Sequence, residues 1–302
     1  MRVRDAFLSE IYRRTGQGED IMIVSPDLGA PSLDDFRRDF PHRFVNVGIA
    51  EQNVIAVAAG LQLTGKKVIT YGLNPFSVTR AFDQLRNLLA DFQIPVTVTA
   101  LNAGSCTADA GYSHMAVENL SIMRTLRNIR IISPTDETIS VRLAEEALRR
   151  PEPRYVQFDK FLGEALYAAG EVDFGLGFVS NKKESDAVIV TCGAFAAACR
   201  REDSIVKVID CFALPVDEKA LIRELSGCSH IYTLEDNVLP GGLGSMVLEL
   251  LNDNGLSIPV ERRGLRFKDG YPHTYTNRDL LWEEEKLSVR ALLAEIEGRK
   301  AL

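Results

Sequence analysis

Along the chain, apolar runs rich in β-branched residues alternate with stretches whose apolar positions recur at helical spacing. "IMIVSP" (21–26), "KKVITYG" (66–72), "IPVTVTAL" (94–101), "IRIISP" (129–134) and "RYVQFDK" (154–160) read as strands, and helical periods fall over 49–63, near 79–91 and over 116–127. Strands joined through helices of ten or more residues pair in parallel and are covered on both faces, so an α/β fold is expected.

The next segment, "FLGEALYAAGEVDFGLGFVSNKKESD", is rich in Gly and then in charge and sustains no period, which marks a boundary. Alternation then resumes with strands at "AVIVTCG" (187–193), "IVKVIDC" (205–211) and "HIYTLED" (230–236), and with helices over 217–225 and 244–252. The expected organisation is a parallel-sheet domain over 1–165, a linker over 166–185 and a smaller α/β domain over 186–302. A chain of 302 residues has interior enough for two such cores.

Composition changes this picture only by exclusion. With 46% hydrophobic and 25% charged residues the chain is ordinary for a globular protein, and a net charge of -7 without any basic tract argues against nucleic acid as a partner. The opening "MRVRDAFLSEIYRR" has apolar and charged residues at helical spacing and no apolar core of signal-peptide or membrane length, which predicts an amphipathic helix in a cytoplasmic protein. Cys106, Cys192, Cys199, Cys211 and Cys228 are scattered, without the spacing that holds zinc, and read as reduced, mostly buried thiols.

In an open parallel sheet, ligands sit beyond the strand C-termini, which directs attention to the loops after residues 47, 72, 101 and 134. The first of these leads into "VGIAEQNVIAVAAGLQLTG", where Glu51 stands in the first turn of an apolar helix. A helix dipole alone favours an acid there by about 0.3–1 kcal/mol. The segment also resembles the thiamine-diphosphate enzymes of the transketolase group, with Gly48, Ile49, Glu51 and Gln52 falling on the G-I-x-E-Q of that family. The similarity continues in order through "YGLNPFSVTRAFDQLRN" (71–87), "GYSHMAVENLSIMRTLRNIRIISPTDE" (111–137), "VIDCFALPVDE" (208–218) and "TLEDNVLPGGLGSMVLELL" (233–251).

The resemblance implies thiamine diphosphate as cofactor, with Glu51 hydrogen-bonding the aminopyrimidine and stabilising its imino tautomer. A fixed carboxylate in a low dielectric is what makes such a contact strong. Phe76 is the implied ring stacked on the pyrimidine, with Ile49, Tyr71, Arg80 and Phe82 as further cofactor-side residues, and His114 faces the sugar, where it can shuttle a proton. Asn102, Asp109 and Lys160 are the remaining substrate-side candidates.

Three departures bear on substrate. "QFDK", with Gln157 and Lys160, replaces the R-x-x-R that grips a phosphate in relatives, and a lysine is a point charge rather than a planar fork. Asn102 stands where many relatives carry His or Arg, and the acid beside Gly111 is displaced to Asp109 by Ala110. A specialised or unphosphorylated sugar is the resulting expectation. "PGGLGS" (240–245) is not a dinucleotide fingerprint, because the third glycine of G-x-G-x-x-G would fall on Val247.

No G-D-G, the family's diphosphate and Mg²⁺ element, occurs in the sequence. The resemblance then implies half of a transketolase: a partner, N-terminal transketolase-like subunit would carry the diphosphate and Mg²⁺, in an α2β2 assembly. The alternatives are the β subunit of a 2-oxoacid dehydrogenase E1 component and a catalytically silent partner subunit.

Overall fold

The computed structural model describes residues 1–161, 163–268, 270–273 and 275–299. In chain order its strands are β1 (Ile21–Ser25), β2 (Phe44–Asn46), β3 (Lys67–Leu73), β4 (Thr97–Leu101), β5 (Arg130–Ile132), β6 (Arg154–Phe158), β7 (Val179–Ser180), β8 (Ala187–Thr191), β9 (Lys207–Asp210), β10 (Ala213–Leu214), β11 (His230–Val238) and β12 (Val260–Leu265). They form two sheets, one in the order β10-β5-β6-β4-β3-β1-β2 and the other β12-β11-β8-β9-β7. Each sheet is parallel except at one edge, where β10 runs antiparallel to β5 and β7 antiparallel to β9.

Every residue of β1, β4 and β6 is buried, as strands covered on both faces must be. On one face of the first sheet, helices Val3–Gly16, Pro31–Asp39 and Glu137–Arg149 share one core with Tyr71 and Phe158 through Phe7, Leu8 and Ile11, through Phe36, and through Ile139 and Leu143 respectively. On the other, helix Glu51–Leu63 packs through Val54, Ile55 and Ala58. That second core does not stop at the sheet but continues through Ile129, Ile131 and Leu214 to Val247 and Leu250.

Four differences from the hydropathy pattern shape the site. The helix expected from residue 49 begins at Glu51, because Gly48 turns at φ 75 and Ala50 (φ -149, ψ 71) is outside helical geometry. The period over 79–91 is broken into Phe76–Thr79, Phe82–Gln84 and a π-helical stretch Leu85–Asp91, with Arg80 as the C-cap of the first. Of the period over 116–127 only Asn119–Met123 is helical, since Met115 and Val117 bury into a different core. β12, "VERRGL", was hidden by its charges: its first four positions are half-buried at a sheet edge. Residues 166–185 hold β7 and the buried side chains Tyr167, Val172, Phe174 and Phe178.

Candidate active site

Three loops meet beyond the C-terminal ends of the parallel strands β2, β3 and β4, with β1 lying between β2 and β3 in the sheet. The first is shaped by Asn46, whose Oδ1 accepts from the N–H groups of Gly48 (2.9 Å) and Asp27 (3.1 Å). It delivers Glu51 as the first residue of its helix, with only 6% of its surface exposed. Arg80 Nη1 donates to Glu51 Oε2 at 2.8 Å, while the other carboxylate oxygen makes no hydrogen bond among the described residues. The same guanidinium lies 4.2 Å from the Phe76 ring centroid, one helical turn back, and His114 meets that ring edge-on at 5.3 Å.

The loop bearing Phe76 rests on buried polar groups. Asn74 Oδ1 accepts from Asn119 Nδ2 (2.9 Å) and from the Tyr155 hydroxyl (3.0 Å), and Gln157 Nε2 donates to Ser133 Oγ at 2.6 Å below them. Burial lifts the Tyr155 hydroxyl well above its usual range, so it stays a donor. These bonds cross-link the loop to β6 and to helix Asn119–Met123, while Asn74 Nδ2 and Asn119 Oδ1 are buried without a partner among the described residues.

The residues singled out from sequence divide into three groups. Glu51, Phe76, Arg80 and His114 come together. Ile49 sits beside them with 77% of its surface exposed, and Asn102 takes the left-handed conformation (φ 66) at the end of β4. Phe82 is half-buried on the short helix that packs against Glu51–Leu63. Tyr71 is elsewhere: strand alternation turns its ring into the core with Phe7 and Phe158, on the opposite face of the sheet from Glu51, where burial pushes its hydroxyl up to about 12. Asp109 and Lys160 are exposed. Gln157 belongs to the buried network just described and presents no group to solvent.

Sequence reasoning missed Asn74 and Asn119, and also Asp159, Asp236 and Arg278, whose contacts span more than a hundred residues. No local pattern announces such partners. It did read the "PGGLGS" turn correctly, and the structure supplies the reason: the helix N-terminus after it is filled by Glu235, which accepts from Leu243 N–H (2.7 Å) and Gly244 N–H (2.8 Å). Burial pushes the Glu235 carboxyl up to about 7 against those bonds. All five cysteines are free, two buried and three half-buried, with thiols raised by burial. Among the described residues no cluster is placed to hold a metal, and no helix is long and apolar enough to cross a membrane.

A buried acceptor with a spare oxygen beside a half-buried ring suits a flat heterocycle that donates a hydrogen bond and offers a π face. The two parallel sheets, covered by helices on both sides, define an α/β enzyme subunit. Residues 1–163 match the transketolase pyrimidine-binding domain, and the chain belongs to the transketolase family, whose members depend on thiamine diphosphate. It is 29% identical over 267 residues to an apulose-4-phosphate transketolase subunit of Phocaeicola vulgatus, covering 85% of this chain and 86% of that one. It is 31% identical over 277 residues to the 1-deoxy-D-xylulose-5-phosphate synthase of Thioalkalivibrio sulfidiphilus, of which the match spans 42%. A solved split-gene transketolase, described as an inactive beta4 tetramer, superposes with a TM-score of 0.82 at 27% identity over 99% of this chain and 97% of that one.

Proposed function

We propose that this chain is the pyrimidine-side subunit of a two-component transketolase, transferring a two-carbon ketol unit from a ketose to an aldehyde. The observation that carries the reading is the buried Glu51 carboxylate with one oxygen held by Arg80 and the Phe76 ring beneath the same guanidinium. When bound, thiamine diphosphate supplies the nucleophilic carbon that takes up and releases the two-carbon unit. Glu51 accepts a hydrogen bond from the aminopyrimidine, fixed in place by its helix and shielded from water by burial. Phe76 orients the ring, and His114, edge-on to Phe76 and half-buried, holds or passes a proton at the sugar hydroxyls.

The diphosphate and Mg²⁺ belong, in this reading, to a second chain. Support comes from the Phocaeicola relative, itself one subunit of a transketolase, from the split-gene neighbour, and from the sequence's lack of G-D-G. The surface beside Glu51 fits a partner. Ile49 (77%), Leu63 (75%) and Phe92 (70%) are exposed apolar side chains around a helix whose outer positions include the small residues Ala56 and Gly60. An α2β2 assembly would cover this face.

The test is reconstitution with a partner chain that carries G-D-G, plus thiamine diphosphate and Mg²⁺. Ketol transfer that disappears in Glu51→Ala supports the reading. Release of CO2 from a 2-oxoacid, or turnover unchanged in Glu51→Ala, overturns it.

A further inference from the structure

The loop that carries His114 leaves the first sheet but is built into the second domain. Between β4 and helix Asn119–Met123, its residues Ala108, Met115 and Val117 share one apolar core with Ile189, Phe195 and Leu265. Val238 N–H donates to the Val117 carbonyl at 2.9 Å and Thr276 N–H to the Ala108 carbonyl at 3.4 Å. The Tyr112 ring stacks on Tyr271 at 4.1 Å.

One carboxylate, Asp236, holds the root of this loop directly, and a second, Asp159, anchors the helix that braces it. Asp236, in the irregular stretch of β11, accepts from Ser105 N–H (3.0 Å) and Ser105 Oγ (2.6 Å), and also from Trp282 Nε1 (2.9 Å). Gly104 stands at φ 58 against Asp236 so closely that a Cβ would collide with it. Asp159, just past β6, receives both terminal nitrogens of Arg278 at 2.6–2.9 Å, next to the Phe158 carbonyl that accepts from Ala103 N–H. Arg278 in turn lies 4.9 Å over the Trp282 ring, so one short helix, Arg278–Glu284, ties down both carboxylates. Asp159 and Arg278 are both largely buried (7% and 16% side-chain exposure), which sets the pair apart from an ordinary surface ion pair.

We propose that Arg278, Trp282 and Asp236 are positioning residues that fix where the 103–118 loop presents His114 to the sugar, so that the C-terminal domain sets substrate affinity without touching the cofactor. The proposal rests on His114 being a substrate contact, as read above. Its strength is geometric: the cofactor-side residues Glu51, Phe76 and Arg80 make no bond to any of the three, whereas the root of the His114 loop is bonded to Asp236 directly.

The experiment uses the whole chain with two changes that avoid stranding a buried charge: Trp282→Phe, which keeps the ring against Phe195 and removes one donor, and the double Asp159→Asn/Arg278→Leu. In the isolated chain, hydrogen exchange of the amides over 103–118 is expected to rise about tenfold while the amides of β1, β3 and β8 stay within about twofold. In the reconstituted enzyme, the KM for the sugar is expected to rise about tenfold with the half-saturating thiamine diphosphate concentration within about twofold. Unchanged loop exchange overturns the proposal, as does exchange that quickens equally in both sheets. So does a loosened loop with an unaltered KM, or a cofactor requirement that rises in step. The exchange arm needs no partner: if the wild-type pair shows no ketol transfer, the functional reading falls, and loop exchange alone still decides whether the clamp exists.

Discussion

Two buried glutamates stand at helix N-termini among the described residues, one in each domain, and their surroundings differ in a way that separates support from the chemistry proposed for Glu51. Glu235 is fully buried and satisfied, with Leu243 and Gly244 N–H on its two oxygens. Glu51 is almost as buried, yet its single bond goes to a guanidinium whose side chain is 48% exposed. The first carboxylate closes its helix end against any ligand. The second is held in place with capacity left over, in a corner open to solvent or to another protein through Ile49. The same electrostatic preference for an acid at a helix start thus yields a closed cap in one domain and, in the other, a carboxylate with one oxygen unbonded among the described residues, which the proposed function uses as an acceptor.

The largest expected difference between the two carboxylates lies at Glu51. Glu51→Gln is expected to lower kcat in the reconstituted enzyme by about a thousandfold, the order seen when a preorganised polar contact to a reacting group is lost. The melting temperature of the isolated chain should move little. Glu235→Ala should do the reverse: it strands two buried N–H donors and costs about 3 kcal/mol of stability in denaturant titration, with kcat per folded enzyme retained. If both variants lost stability alike, the distinction between cap and acceptor would be gone.

Smaller effects sharpen it. Phe76→Ala removes the ring between Arg80 and His114, and isothermal titration or activation curves should show thiamine diphosphate binding weakened about tenfold. The protonation of Glu235 gives the cap a pH signature of its own. Its folded carboxyl titrates at about 7 against an ordinary 4.5, so the folded chain retains a proton that the unfolded chain has released. The stability it contributes is complete below the ordinary value and is lost as pH rises through about 7. Asp210, raised by burial from 3.8 to about 7 in the same sense, adds to the slope. Glu235→Gln should therefore melt with a flatter pH dependence than wild type across the range from about pH 5 to about pH 8.

Much of this was legible in the sequence, for identifiable reasons. Strands such as "IMIVSP" are dominated by apolar residues because both of their faces are covered, and Glu51, which a helix dipole alone would explain, stood out through the family pattern around it. Register was harder. Tyr71 and Phe76 lie on one continuous motif, and only the pleat of β3 reveals that Tyr71 faces the far side of the sheet. β12 was masked by Glu261, Arg262 and Arg263, whose long stems lie along a half-buried edge. Arg278 had no local mark at all, since its meaning depends on Asp159, 119 positions earlier.

The two-residue strand β10 carries a consequence for anyone who would divide the molecule. It comes from beyond residue 165, where the sequence predicts the first domain to end, yet it completes the first sheet by pairing Ala213 and Leu214 with Ile132 and Ile131. A fragment ending near that boundary would keep its own helices and lose this outer rung, leaving the backbone of Arg130–Ile132 bare along a sheet margin. Bare margins recruit strands from other molecules. The first domain cut free is therefore expected to self-associate and precipitate, and swapping C-terminal domains between relatives would have to carry these two residues along.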